Sequence, residues 1–216
     1  MRDLEQLWLT EAGRNDVLPM SEGLTSRLDA LLPSRYAPSS RKVIYPGSPV
    51  TDESLPFLIG GFRIDVDVTT GDQTPGGILC AFGDWNGGFA LYAIDGRLTF
   101  AFRPAGVLVQ AVAECAIPVG DHVLTVECRP RAAGLQIDLG CDGEPVGSLS
   151  TGMPMPFSFQ HGGTQLRIGH DTGLPVVEEY HPPFEWTGSI RRVTFEALAA
   201  PALPSAEEVA DAMRND

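Results

Sequence analysis

Lysine is almost absent from this chain of 216 residues: of its 15 basic residues, Lys42 is the one lysine. The acidic residues number 28, so the formal net charge is −13. Proteins that bind nucleic acid or anionic lipid surfaces depend on clustered cations. We therefore expect no nucleic-acid partner and no membrane partner.

The chain also lacks a long apolar run and a leader-like N-terminus. No stretch approaches the roughly 18–20 apolar residues that a membrane-spanning helix needs. Asp3 and Glu5 stand where a signal peptide would have cations followed by an apolar segment. These patterns predict a cytoplasmic protein.

The four cysteines, Cys80, Cys115, Cys128 and Cys141, show no CxxC or Cys/His spacing typical of zinc. Cys80 and Cys128 lie in apolar, strand-like runs. Buried cysteines in a reducing compartment remain free and behave as small apolar residues. We expect free, buried thiols, no metal and no cofactor.

Turn-forming residues are abundant. The chain has 24 Gly and 18 Pro, about a fifth of its residues against a usual ~12%. Asp95-Gly96 and Asp142-Gly143 predict tight hairpins, because such turns need positive φ. Between the turns apolar residues alternate with period two, most clearly over 62–68. About ten to twelve strands without intervening helices predict an all-β fold, a sandwich of antiparallel strands.

Three regions follow from these patterns. Residues 1–39 show helical spacing and are expected to form a helical arm of short helices packing on the sandwich. Residues 40–198 form the β-sandwich itself. Residues 199–216 begin as an Ala/Pro linker, and Ser205 with Glu208 makes a capping box that predicts a short C-terminal helix.

One segment carries a family resemblance. Gly169-His170-Asp171-Thr172-Gly173-Leu174-Pro175-Val176 leads into Tyr180, Pro183-Phe184 and Thr187-Gly188. This order resembles the C-terminal β-sandwich region of bacterial arylsulfatases, and weaker agreement extends over roughly residues 4–196. The resemblance implies a concanavalin A-like, jelly-roll sandwich, freestanding here, whose role in that family is packing and assembly.

The catalytic half of a sulfatase is missing. That enzyme class needs a C/S-x-P-x-R motif and an upstream pair of aspartates that holds a cation. Cys128-Arg129-Pro130-Arg131 starts the motif, but Ala132 replaces its final arginine and no Asp-Asp pair precedes it. We expect no sulfatase activity.

The first candidate site is the stretch from His170 to His181, which also holds Asp171, Glu178, Glu179 and Tyr180. A histidine beside carboxylates suits proton transfer, since its pKa is near neutral and a carboxylate fixes its tautomer. The structural alternative is that Asp171 and Thr172 cap a turn while Tyr180 plugs the loop against the core.

The second candidate site is the glycine-rich stretch 83–88, which presents Asp84, Trp85 and Asn86. Lectin-like sandwiches bind ligands with such residues, stacking a ring on the indole and hydrogen-bonding hydroxyls. The alternative is a plain hairpin, with Asn86-Gly87 as its turn and Trp85 covering the sandwich edge. His122 shares a strand face with Leu124 and is expected to be a satisfied, semi-buried residue.

Three functions remain open. In the first, a non-catalytic lectin-like module binds a small organic ligand or a protein partner, including a second copy of itself. Its ligand-binding residues would be Asp84, Trp85, Asn86, Glu179 and Tyr180. In the second, a cofactor-independent cyclase, isomerase or lyase acts on an apolar molecule.

The catalytic residues of such an enzyme would be His170, Asp171, Glu178 and His181, gathered in one enclosed apolar cavity.

The third function is glycan binding or hydrolysis. Hydrolysis needs two opposed carboxylates, and the sequence shows no strand motif that supplies them.

Overall fold

The computed structural model describes residues 40–47, 55, 58–155, 166–171 and 173–199, together with 4, 6–8 and 10. The chain divides into two compact units, Met1–Ala37 with Leu203–Asp216, and Pro38–Ala202. In the first unit, residues 4, 6–8 and 10 are helical, as their spacing predicts. The other predicted terminal helices lie outside the described residues, and the packing of the N-terminal arm stays a prediction. Within the described ranges, no helix is long and apolar enough to cross a membrane.

The unit Pro38–Ala202 is built from strands, 13 of which fall in its described part. They are β1 (Arg41–Ile44), β2 (Phe62–Thr70), β3 (Gly77–Asp84), β4 (Gly87–Ile94), β5 (Arg97–Arg103), β6 (Val109–Ala116), β7 (Gly120–Arg131), β8 (Gly134–Cys141), β9 (Glu144–Thr151), β10 (Arg167–Ile168), β11 (His170–Asp171), β12 (Phe184–Glu185) and β13 (Ser189–Ala197). Two 3₁₀ turns, Leu58–Gly60 and Pro104–Gly106, join them. The strand count exceeds the predicted ten to twelve because β10, β11 and β12 have two residues each.

The strands form two main sheets and one small ribbon. The six-stranded sheet has the order β1-β13-β2-β7-β8-β9, and the five-stranded sheet has the order β10-β3-β4-β5-β6. Strands β11 and β12 pair with each other. The pairings within these sheets are antiparallel. The predicted all-β antiparallel sandwich is confirmed.

Period-two alternation sets the inner face of the six-stranded sheet. Along β2, Phe62, Ile64 and Val66 are fully buried, while Arg63 and Asp65 between them are half-buried on the other face. A bulge in β13 shifts its register against β2 after Ile190, which explains the less regular apolar spacing there. The core between the sheets includes four neighbouring phenyl rings, Phe62, Phe89, Phe100 and Phe195, with centroid separations of 6.0–6.2 Å.

The two Asp-Gly hairpin turns form as predicted. Asp95 and Asp142 adopt φ values of 51° and 53°, the left-handed conformation that such turns need. The turn between β3 and β4 differs from the prediction. Because Asp84 pairs with Gly87, Trp85 and Asn86 occupy the turn instead of Asn86-Gly87.

The four cysteines are free but not all buried. Cys80 and Cys128 lie inside the core, and burial raises the pKa of each thiol to about 12. Cys115 is exposed and Cys141 is half-buried, which corrects the expectation of buried thiols for this pair. Both lie near the ends of their strands, β6 and β8, where the apolar interior of the sandwich runs out.

A second apolar layer covers the outer face of the five-stranded sheet. We call residues 173–183, between β11 and β12, the covering segment. Its buried side chains Val176, Val177 and Tyr180 pack on that face. Ala81, Ala90 and Ala101 stand side by side on β3, β4 and β5. Since alanine projects little above a sheet, this row lets the covering segment approach closely.

Gly77 is the first residue of β3 and lies against Glu185 of β12, the strand that follows the covering segment. It has a φ of +107°, and a Cβ added there would lie 2.0 Å from the backbone oxygen of Glu185. Gly143 also has a positive φ, +86°, but a Cβ added to it would have no other atom within 4 Å. Both glycines therefore adopt a backbone conformation that favours glycine, but Gly77 also lacks the space for a side chain.

We expect Gly77→Ala to lower the free energy of unfolding by about 3 kcal/mol or more, since it combines strain with a backbone clash. Gly143→Ala should cost only about 1 kcal/mol, the cost of the left-handed conformation alone. Urea denaturation of both variants measures the difference. Equal losses would contradict the close approach of Glu185 to β3.

Candidate functional site

The carboxylate of Asp171 organises the loop that joins β11 to β12. It is 3% exposed. The Tyr180 hydroxyl donates to its Oδ2 at 2.7 Å, and the Arg167 guanidinium and the Gly173 N–H donate to its Oδ1 at 2.9 and 3.2 Å. These three donors satisfy both oxygens of the buried carboxylate and tie β10, the start of the loop and Tyr180 to one side chain.

A second carboxylate holds the covering segment to the sheet. The buried Tyr92 of β4 donates its hydroxyl to Glu179 Oε2 at 2.7 Å and accepts an N–H from Gln110 at 3.0 Å. The rings of Tyr92 and Tyr180 are 5.5 Å apart, and Tyr180 stacks on Phe184 at 4.9 Å. Burial raises the pKa of both phenols, and their carboxylate partners raise it further. Both tyrosines are therefore neutral hydrogen-bond donors.

The residues predicted for proton transfer are not gathered in a cavity. His170, Glu178 and His181 are exposed, and His170 donates from Nδ1 to the Ile168 carbonyl at 3.0 Å. Asp171 is buried on the opposite side of the loop, in its own hydrogen-bond set. Asp171 caps a turn and Tyr180 plugs the loop, as the structural alternative predicted; Thr172 lies outside the described residues.

Two of the predicted ligand-binding residues, Tyr180 and Glu179, likewise form hydrogen bonds within the protein. Tyr180 is 3% exposed, and its hydroxyl is used by Asp171. Glu179 is exposed, but one of its oxygens accepts the Tyr92 hydroxyl. Tyr180 is buried because its ring covers the small apolar residues of the sheet beneath the loop. The adjacent Glu179 is then placed to accept the Tyr92 hydroxyl.

A cleft of about 440 Å³ opens at the end of the sandwich where β2 leads into β3. The residues that line it are Thr70, Gly71, Asp72, Gln73, Pro75, Thr187 and Gly188. None of the sequence-predicted site residues lines this cleft. Its polar, open character does not match the enclosed apolar cavity that the enzyme hypothesis requires.

The β3–β4 turn presents the remaining predicted residues. Trp85 is 55% exposed, so it does not cover the sandwich edge as the hairpin alternative expected. Asp84 Oδ1 accepts the Asn86 N–H at 2.7 Å and thereby fixes the turn. The turn joins two largely buried strands, because β3 is buried up to Phe82 and β4 is buried from Gly87 onward.

An adjacent turn extends this surface. A Cβ added to Gly106 would lie 3.8 Å from the Asn86 backbone oxygen, so the Pro104–Gly106 turn lies beside the β3–β4 turn. Val107 and Leu108 follow it and are 50% and 38% exposed. We call Asp84, Trp85, Asn86, Val107 and Leu108 the Trp85 surface.

Arg103 connects the Trp85 surface to the covering segment. Its Nε–H donates to the Val176 carbonyl at 2.9 Å, and its Nη1–H donates to the Gly106 carbonyl at 3.2 Å. One side chain at the end of β5 therefore anchors both the segment that covers the sheet and the turn beside Trp85.

A third group of polar residues lies at the opposite end of the sandwich and was missed by sequence motifs. Cys141 pairs with Leu124 in the antiparallel register of β7 and β8, which brings His122 close to Asp142. The His122 Nδ1 to Asp142 Oδ2 distance is 2.7 Å, and the His122 Nε2 lies 3.3 Å from the Val119 carbonyl. His122 is half-buried and hydrogen-bonded, as its strand position indicated.

Comparison with known proteins bears on the fold. The CBM40 of Ruminococcus gnavus IT-sialidase, in a structure bound to α2,3-sialyllactose, is similar with a TM-score of 0.50 and 16% identity, over 79% of this chain and 97% of that one. The K499G mutant of NanB sialidase from Streptococcus pneumoniae is similar with a TM-score of 0.53 and 12% identity, over 76% and 28%. The fold is a jelly-roll β-sandwich.

These structural similarities confirm the predicted β-sandwich fold. The sequence matches no protein-family model and no curated protein. The similar structures show the jelly-roll fold.

The two buried tyrosines allow a test of the Asp171 network. Tyr180→Phe leaves a buried carboxylate oxygen without its donor and should lower the free energy of unfolding by about 2–3 kcal/mol. Tyr92→Phe is the matched control, because the exposed Glu179 regains water, and its cost should be about 1 kcal/mol. Chemical denaturation measures both. Equal costs would contradict the central role of Asp171.

The His122–Asp142 pair predicts a pH dependence. The Asp142 hydrogen bond raises the pKa of His122 above 6.5, and His122 lowers the pKa of Asp142 below 3.8. The pair therefore stabilises the fold fully between these ordinary values, and its contribution is lost as the pH rises through the raised histidine pKa or falls through the lowered aspartate pKa.

An NMR titration of the His122 ring, in buffer with a chelator, measures this shift directly. Asp142→Asn keeps a residue that tolerates positive φ but removes the charge, so the His122 midpoint should move to lower pH. An unchanged midpoint in that variant would show that Asp142 is not the cause.

Proposed function

We propose that this chain is a non-catalytic, lectin-like module that binds a neutral oligosaccharide on the Trp85 surface. The observation that carries the proposal is Trp85 itself, an indole 55% exposed on a hydrogen-bonded turn between two buried strands. A large aromatic side chain held outside the core at such a place is typical of a binding surface.

The chemistry of the Trp85 surface suits a sugar. The apolar face of a pyranose ring stacks on an indole, while its hydroxyls need donors and acceptors at the ring edge. The Asn86 side chain offers both, and Asp84 keeps Oδ2 beside the Oδ1 that accepts the turn N–H. Val107 and Leu108 are exposed apolar residues that directly follow the neighbouring Pro104–Gly106 turn.

Charge favours a neutral ligand over an anionic one. The chain carries a net charge of −13, and Asp84 adds a carboxylate at the surface itself. Arg103, the cation of the adjacent strand end, uses two of its N–H groups on the Val176 and Gly106 carbonyls. The similar R. gnavus CBM40 is bound to sialyllactose; we take from it the ligand class, an oligosaccharide, and not the sialic acid.

The placement of the histidines argues against the enzyme hypothesis. His170 and His181 are exposed, and Asp171 already accepts three hydrogen bonds. A proton-transfer set needs a base and its partner within reach of one reacting atom, in a site that excludes water. Binding without catalysis fits this arrangement better.

The arylsulfatase resemblance adds a finer proposal, that this is a freestanding domain of the arylsulfatase C-terminal type. Three residues of the resembling segment, Asp171, Tyr180 and Phe184, interlock by a hydrogen bond and ring stacking. A packing role for that segment is consistent with an assembly function in that family, and it leaves ligand recognition to other residues.

The test is binding of the purified full chain to a panel of neutral and sialylated oligosaccharides, followed by calorimetric titration of the strongest ligand. Trp85→Ala should weaken its binding by about tenfold or more, since a buried aromatic contact is worth about 1.4 kcal/mol or above. Because the side chain is exposed, the circular dichroism spectrum should stay unchanged.

Tyr45→Ala is the control, because Tyr45 is also an exposed aromatic residue, at 57%, and is not part of the Trp85 surface. It should leave the affinity unchanged. A preference for sialylated over neutral glycans, or full affinity in the Trp85 variant, would contradict the proposal.

A further inference from the structure

Three side chains of different chemistry converge at the end of the sandwich opposite the Trp85 surface. They are His122 at the start of β7, Cys141 at the end of β8 and Asp142 in the turn that follows. One ligand atom from each, an imidazole nitrogen, the thiol sulfur and a carboxylate oxygen, all lie within 4.8 Å of one another. The Trp85 surface does not use any of them.

The backbone holds the Asp142 carboxylate in place. Asp142 adopts a φ of 53° in the Asp-Gly turn, and its Oδ1 accepts the Val123 N–H at 2.8 Å. This bond aims Oδ2 at the other two groups, 2.7 Å from His122 Nδ1 and 4.0 Å from Cys141 Sγ. The carboxylate is therefore oriented before any ligand arrives.

A hydrogen bond also orients the imidazole ring. His122 Nε2 lies 3.3 Å from the Val119 carbonyl, so an N–H at Nε2 donates there and Nδ1 faces the cluster. Histidines that bind metals commonly donate their second ring N–H to a carbonyl or carboxylate, which fixes the ring. His122 has this arrangement.

We propose that His122 Nδ1, Cys141 Sγ and Asp142 Oδ2 form a binding site for a divalent transition metal of the zinc class. Imidazole, thiolate and carboxylate are the three ligand types that zinc takes in proteins. Hard cations such as Ca²⁺ and Mg²⁺ prefer oxygen ligands throughout, which this cluster does not offer.

The present separations need only small side-chain adjustments. In a tetrahedral zinc site the ligand atoms lie about 3.3–3.6 Å apart, as follows from metal–ligand bonds of about 2.0–2.3 Å. The metal takes the place of the Cys141 thiol proton and of any proton on His122 Nδ1, and both are released to solvent. Water completes the coordination, since Asp142 is exposed.

Cys115 supplies a matched control. Cys115 lies near the end of β6 and is exposed to solvent. Its sulfur is not among the ligand atoms that share the 4.8 Å cluster. If cobalt binds to any accessible thiol, it binds at Cys115. If it binds at the cluster of His122, Cys141 and Asp142, binding requires Cys141.

The test is a Co²⁺ titration of the full, untagged, reduced chain, followed by absorption spectroscopy. We expect a thiolate-to-cobalt charge-transfer band with visible bands of tetrahedral intensity, at one metal per chain, and their displacement by Zn²⁺. Cys141→Ser should abolish the charge-transfer band. His122→Asn and Asp142→Asn should each weaken binding by roughly tenfold or more.

Cys115→Ser should keep the band and the affinity, and Zn²⁺ should raise the melting temperature of that variant but not of Cys141→Ser. Circular dichroism establishes that each variant is folded. The proposal is overturned if the chain gives no charge-transfer band, if the band survives Cys141→Ser, or if Cys115→Ser removes it.

Discussion

The buried carboxylate of Asp171 is the constraint on which the outer face of the sandwich depends. A carboxylate that is 3% exposed is tolerated only because Tyr180, Arg167 and the Gly173 N–H satisfy it. Its hydrogen bonds hold Tyr180 over the alanine row of the five-stranded sheet. The outer face of the five-stranded sheet is thereby covered by the protein's own chain.

This arrangement moves the candidate functions to the two ends of the sandwich. At one end, the Trp85 surface presents an indole and polar groups on rigid turns, and Arg103 ties that end to the covering segment. At the other end, the β7–β8 hairpin brings His122, Cys141 and Asp142 together. The proposals at the two ends rest on different residues, so either can fail without the other.

Much of the fold follows from local patterns in the sequence. Alternation along β2 and the two Asp-Gly turns predict strands and hairpins, because side-chain period and positive φ are local properties. The continuous apolar runs of β3 and β4 carried a further signal, since burial on both faces indicates a sheet covered on both sides. That signal predicts a covering layer but not which segment supplies it.

The sites were harder to predict, because they depend on register and burial. Asp171 and His170 are adjacent in sequence, yet strand alternation turns one inward and the other to solvent. His122 and Asp142 are brought together by antiparallel pairing, which no motif spacing encodes.

The most direct test of the proposed binding surface is an NMR chemical-shift map of the chain titrated with its strongest neutral oligosaccharide. Binding at the Trp85 surface should shift the amides of Trp85, Asn86 and Val107; shifts centred on His170 and His181 instead would contradict a site at that surface.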